Sequence, residues 1–88
     1  MEERKRQLWA IYDQLDNMLR NLDKRKTLDA EIGQAANDLN LALRVVQREL
    51  PQYEVVKGMR ELMEKDRVIE LMSHATALLG ALKTHLYS

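Results

Sequence analysis

The chain has 88 residues, of which 45% are hydrophobic and 32% charged, and its 14 Lys and Arg balance its 14 Asp and Glu. That composition excludes a disordered polar chain, and the zero formal charge builds in no long-range attraction to nucleic acid or an anionic membrane. The absence of cysteine excludes disulfides and thiolate metal sites, and three Gly with one Pro are too few turn residues for a β protein.

The first predicted element is an amphipathic helix over residues 2–23. Leu8, Ile11, Tyr12, Leu15, Met18, Leu19 and Leu22 recur at helical spacing and share one face. The next apolar residue is Leu28. At about 100° per residue, that step carries the stripe roughly 120° off the first face. A straight continuous helix would split its apolar residues between two sides, so a helix–helix connection is expected at Asp23–Thr27. Thr27 is a candidate N-cap. The rival reading is one long bent helix.

The second helix carries Leu28, Ile32, Ala35, Ala36, Leu39, Ala42, Leu43, Val46 and Leu50. Leu41 and Val45 fall outside that stripe and widen its apolar arc. Leu50-Pro51 ends the helix, because a residue before proline disfavours the α region. Pro51 fits the first turn of a third helix, with Val55, Val56, Met59, Leu62 and Met63 as its stripe. Glu64–Arg67 interrupts the stripe, and Asp66 is a candidate cap for the segment holding Val68, Ile69, Leu71, Met72, Ala75, Leu78, Leu79, Leu82 and Leu86. That segment is a fourth helix or the continuation of a kinked third one.

The expected fold is therefore all-α. It is a single helical-bundle domain over residues 1–88, an antiparallel three-helix bundle or a four-helix one, and self-associating. The charged N-terminus has no apolar region behind it, so it does not read as a signal peptide. The longest stretch without Asp, Glu, Lys or Arg, Leu71–Leu82, is too short to span a bilayer. A cytoplasmic location is expected.

Asp66, Glu70 and His74 lie one turn apart on one face and include good ligand types for zinc, iron or manganese. One helix supplies a poor ligand set, and the plain reading is an i, i+4 contact. Lys24, Arg25 and Lys26 form the densest basic patch, with Arg4, Lys5 and Arg6 at the N-terminus, and suggest a small nucleic-acid-associated regulator. Acidic neighbours dilute it, and aromatic residues for base stacking are missing beside it. No cofactor, metal or small-molecule substrate is indicated.

Leu15-Asp16, Leu19, Leu22, Arg25, Leu28 and Ile32-Gly33-Gln34-Ala35 resemble the long first helix of the all-helical chorismate mutases. Pro51 before a short helix and then a longer one adds to the likeness. The resemblance implies a helical enzyme with cations around a dicarboxylate. This chain departs from the pattern: Trp9 stands where the family has an early Arg, the Lys after Gly33 is missing, and Pro51 lies further from Gly33. Helical periodicity alone accounts for the shared positions.

The wide apolar arcs of the second and last helices exceed what three helices hide. They point to a non-enzymatic protein–protein interaction module, an adaptor, regulator or assembly chaperone, that buries a helical face on a partner or on itself as a homodimer. The expected surface is Leu41, Val45, Leu71 and Leu78, with Trp9 either lapping the edge of the core or anchoring a partner. Ala77 and Ala81, one turn apart and preceded by Ser73, would allow another helix to approach closely, within the monomer or across a dimer seam.

Overall fold

The computed structural model describes residues 3–22, 29–63 and 66–87. Among these residues four helices form the bundle: α1 (Glu3–Leu22), α2 (Asp29–Glu49), α3 (Glu54–Lys57) and α4 (Val68–Leu86). The all-α expectation holds. The phase shift between Leu22 and Leu28 separates two helices, as expected, although the connection itself, with Thr27, lies outside the described residues.

Two contacts establish the helix directions. Arg4 in the first turn of α1 reaches Glu49 at the end of α2, 2.7 Å away. The Trp9 ring meets Tyr87, just beyond α4, with centroids 5.3 Å apart. So α1 runs opposite to both α2 and α4, and the latter two are parallel. Residues 15–35 therefore do not lie on one helix, which removes both the bent-helix reading and the long first helix of the chorismate mutase resemblance.

Parallel neighbours require a return path. As a continuous helix, residues 51–67 would advance only about 25 Å, short of the ~30 Å of α2. Most of the return is in fact non-helical. Pro51 and Gln52 form a turn, so Pro51 is not in the first turn of a helix; Tyr53 caps α3, a single turn. Gly58, a poor helix former, ends it with its N–H on Glu54 O at 3.1 Å. The expected helix through Met59, Leu62 and Met63 is thus replaced by a strap that climbs α2 in the opposite direction.

Side chains at 40, 44 and 47, one face of α2, hold the strap. Gln47 Nε2 donates to Val56 O at 2.9 Å and Met59 O at 3.0 Å. Arg44 makes two bonds to Glu61, at 2.7 and 3.2 Å. Asn40 takes both backbone groups of Leu62, accepting its N–H at 2.7 Å and donating to its carbonyl at 3.1 Å. Backbone groups that a helix would pair internally are satisfied instead by two amide side chains.

One core joins all the elements. Leu8, Leu15, Leu39, Leu43, Leu71, Leu78 and Leu82 are buried among α1, α2 and α4, and Val56 and Leu62 enter it from the strap side. Burial of these side chains offsets the ordering of the chain at about 1.5–3 kcal/mol each. Among the described residues no buried side-chain nitrogen or oxygen lacks a partner. Leu78→Ala is expected to cost about 2–5 kcal/mol in a urea unfolding curve. Leu41→Ala, which leaves the core intact, should stay within about 0.5 kcal/mol.

Candidate interaction surface

The sequence-derived surface divides when placed on the fold. Leu71 and Leu78 are completely buried and Ala81 nearly so. They do not face a partner, because α1, α2 and the strap close around α4 from three directions and consume the wide arc that seemed surplus. Leu41 is 58% exposed, and Val45 is half-buried beside it. Together they border a depression of about 260 Å³ between α1 and α2, with Gln7, Ala10 and Gln14 opposite. Trp9 is half-buried and sits in an aromatic trio, 5.7 Å from Tyr12 and 5.3 Å from Tyr87, in edge-to-face contacts. Its ring braces α1 on the end of α4. Lys24, Arg25 and Lys26 lie outside the described residues.

A different apolar surface emerges on α4. Its outward face carries Ile69, Ser73, Thr76 and Gly80, all exposed, with Met72 and Ala77 half-buried at its margins. No charged residue interrupts that face between Ile69 and Lys83, whereas α1 turns Asp13, Gln14, Asn17 and Arg20 outward. Ile69, at 71% exposed, stands furthest out. Val68, Ile69, Met72, Ser73, Thr76 and Ala77 border a shallow hollow of about 650 Å³. Val68 and Ile69 also belong to a second hollow of about 930 Å³, where Ile32, Gly33 and Ala36 of α2 face Met63 at the head of the strap. The two adjoin at Val68 and Ile69 and form one mouth across the N-terminal halves of α2 and α4, apolar at Ile32, Ala36, Met63 and Ile69 and polar at Asn37, Asn40, Asp66 and Arg67. Sequence periodicity places Ile69 and Met63 in the core stripes; the strap's departure from helix turns Met63 outward, and Ile69 lies on the face of α4 that its neighbours leave uncovered.

The polar side of the mouth is held in place by ion pairing. Arg60 grips Asp66 through both guanidinium nitrogens, at 2.8 and 2.9 Å, and Asp66 also accepts the Met63 N–H at 2.7 Å. These donors hold its carboxyl far below the usual carboxylate range. The Arg44 bonds likewise lower the Glu61 carboxyl. Asp66 therefore does not cap α4. Arg67 occupies that position with extended backbone, and its N–H donates to Glu70 Oε1 at 2.7 Å. His74 Nε2 lies 3.0 Å from Arg60 O. Asp66, Glu70 and His74 thus have three different structural tasks, and no group of metal-ligating side chains forms among the described residues. No helix among those residues is long and apolar enough to cross a membrane.

Compared with protein-family models, curated proteins and solved structures, the chain matches none.

The depressed Asp66 carboxyl has a pH signature. Its contribution to stability is complete above the unfolded carboxylate value, about 4, and is lost as pH falls toward the lower folded value. Asp66→Asn is therefore expected to be less stable than the wild type at pH 6, with the gap between their urea midpoints closing below about pH 4. A gap that stays constant down to pH 2 would contradict this assignment.

Proposed function

We infer that the protein is a helical interaction module that acts by association, pairing with a second copy of itself through the outward face of α4 and the adjoining mouth. One observation carries this reading: an outward helix face free of charge from Ile69 to Lys83, with an exposed isoleucine at its head. Large apolar side chains grouped on a surface mark contact sites more than single ones do, and here Ile69, Met63, Val68 and Met72 are grouped.

Shape supports a second copy as the occupant. The bulky residues lie at the N-terminal end of α4 and the small ones toward its C-terminal end. In an antiparallel pair related by a two-fold axis, Ile69 of each copy lies over Gly80 of the other, and Ser73 over Thr76. Such an arrangement is self-complementary, as a closed dimer requires. Gly80 has nothing within 4 Å of where a Cβ would stand. Glycine inside a helix costs about 1 kcal/mol relative to alanine, and the packing of the single chain offers no reason for it. Close approach of a second helix supplies one.

The residues around the mouth favour an apolar partner over a dicarboxylate substrate. Arg67 is the cation among the described residues that border the larger hollow, and Asp66 stands beside it. The adaptor, regulator or chaperone roles all reduce to the same physical act, burial of this face against another helix.

Light scattering over a concentration series tests the reading. The wild type is expected to rise from monomer toward dimer mass. Ile69→Lys and Gly80→Leu should both hold the chain at monomer mass, with helical circular dichroism unchanged because neither position belongs to the core. Leu41→Lys, on the opposite flank of α2, should leave association intact. A wild type that stays monomeric at every concentration would remove the self-pairing. Gly80→Ala is also expected to raise the thermal midpoint of the monomer, by up to about 1 kcal/mol in stability.

A further inference from the structure

The outward face of α4 does not end at Gly80. From Ile69 to Tyr87 the helix makes about five full turns, so Tyr87 returns to the same side of α4. Among the described residues the large exposed hydrophobic side chains are Leu41, Val55, Met63, Ile69 and Tyr87. Tyr87 is the member at the C-terminal end of this face, and it is 64% exposed. Its ring is nonetheless held in place: Trp9 and Tyr12 meet it edge to face, with centroids 5.3 and 6.3 Å away. A ring that is exposed yet already ordered loses little side-chain freedom on binding, and tyrosine is enriched among the residues that dominate interfaces. At the other end of the face stands Met63, 53% exposed at the head of the strap. Two bonds pin it to Asp66: its N–H donates to the carboxylate at 2.7 Å, and its carbonyl accepts the Asp66 N–H at 3.0 Å. Met63, Val68 and Ile69 are apolar walls of the hollow of about 930 Å³, with Asn37 and Arg67 on its polar side. Tyrosine suits such a place, because its ring is apolar and its hydroxyl polar, and a thioether makes favourable contact with a ring edge.

We propose that Tyr87 of each copy packs onto Met63 at the mouth of the other copy, completing the hollow with a ring that the single chain cannot supply. In its own chain Tyr87 lies about 28 Å along α4 from that hollow. The proposal rests on the two-fold pairing inferred above and adds a contact at each end of its seam. With Ile69 over Gly80 and Ser73 over Thr76, Tyr87 of each copy lies roughly 10 Å beyond Ile69 of the other, past the start of α4. Helical side chains tilt toward the N-terminus of their own helix. In an antiparallel partner that tilt turns the ring back toward Ile69 and over Met63. The register follows from Ile69, Ser73, Thr76 and Gly80 alone, so the meeting of Tyr87 with Met63 is an independent consequence of it. One symmetry operation thereby covers Met63, Ile69 and Tyr87 together.

The full chain contains no cysteine, so introduced thiols report the contact directly. Under mild oxidation, an equal mixture of Met63→Cys and Tyr87→Cys should give several-fold more disulfide-linked dimer on a non-reducing gel than either variant alone. Like sites lie at opposite ends of the pair and cannot join. A mixture of Ile69→Cys and Gly80→Cys checks the pairing register separately. Sedimentation should show Tyr87→Ala and Met63→Glu each raising the dimer Kd about ten-fold or more. Tyr87→Phe, which keeps the ring, should stay much closer to the wild type. Met63 lies at the far end of α4 from the aromatic trio, so its effect cannot come from loosening Trp9. Cross-linking between positions 69 and 80 without cross-linking between 63 and 87 would overturn this contact and leave the pairing standing. So would a Kd unchanged in both Tyr87→Ala and Met63→Glu. Loss of both cross-links together with a monomeric wild type would remove the pairing, and the contact with it.

Discussion

The architecture depends on the paired hydrogen bonds between the Asn40 side chain and the backbone of Leu62. Two parallel helices cannot be joined by a tight turn, and a helical return over residues 51–67 would be too short. The chain therefore runs in a non-regular conformation against a core, where unpaired peptide groups are costly. An asparagine amide matches a peptide group in size and polarity, one acceptor and one donor side by side. Placed on α2 above Arg44 and Gln47, it lets Leu62 enter the core with both of its polar groups satisfied. Without that capture, α4 would have no fixed register on α2, and Leu71 and Leu78 would lose one of the three walls around them.

This arrangement reconciles a wide apolar arc with a closed monomer core. Leucines on more than half the circumference of α4 suggest exposure when only two neighbours are counted. With α1, α2 and the strap all packed on α4, those leucines are covered, and the uncovered remainder is the small-residue face from Ile69 to Gly80. Association is thereby shifted from the leucines to a surface with few large side chains, where contact between two backbones matters more than the area of any one residue.

How much was legible in the sequence follows from the range of the interactions. The faces of α1 and α2, the separation signalled by Leu22 and Leu28, and the stop at Leu50-Pro51 are local, and periodicity or proline sterics report them directly. The strap is not local. Val55, Val56, Met59, Leu62 and Met63 keep helical spacing, so their periodicity points to a helix. What decides otherwise is a set of side chains some ten to twenty residues earlier, which look like ordinary solvated positions of α2. Gly58 is the one local clue. The same non-locality moved Ile69 and Met63 from the core to the surface and moved Leu71 and Leu78 the other way. Asp66 shows a related limit: its residue type suits a helix cap, but Arg60 and the Met63 N–H claim it first.

The parallel course of α2 and α4 also explains an oddity at the start of the chain. Arg4, Lys5 and Arg6 crowd the first turns of α1, where a helix's own macrodipole favours carboxylates. In this bundle that end is shared with the C-terminal ends of two other helices, each carrying about half a negative charge on its unpaired carbonyls. Arg4 reaches across to Glu49, and Lys83 follows the same polarity in the last turn of α4. Arg4 at the head of α1 therefore serves the tail of a neighbour, while Arg6 stays with Glu3 in its own first turn. With two helix dipoles pointing one way and one the other, the excess is countered by fixed basic side chains. A formally neutral chain thus has its electrical axis set by the order in which its helices are threaded.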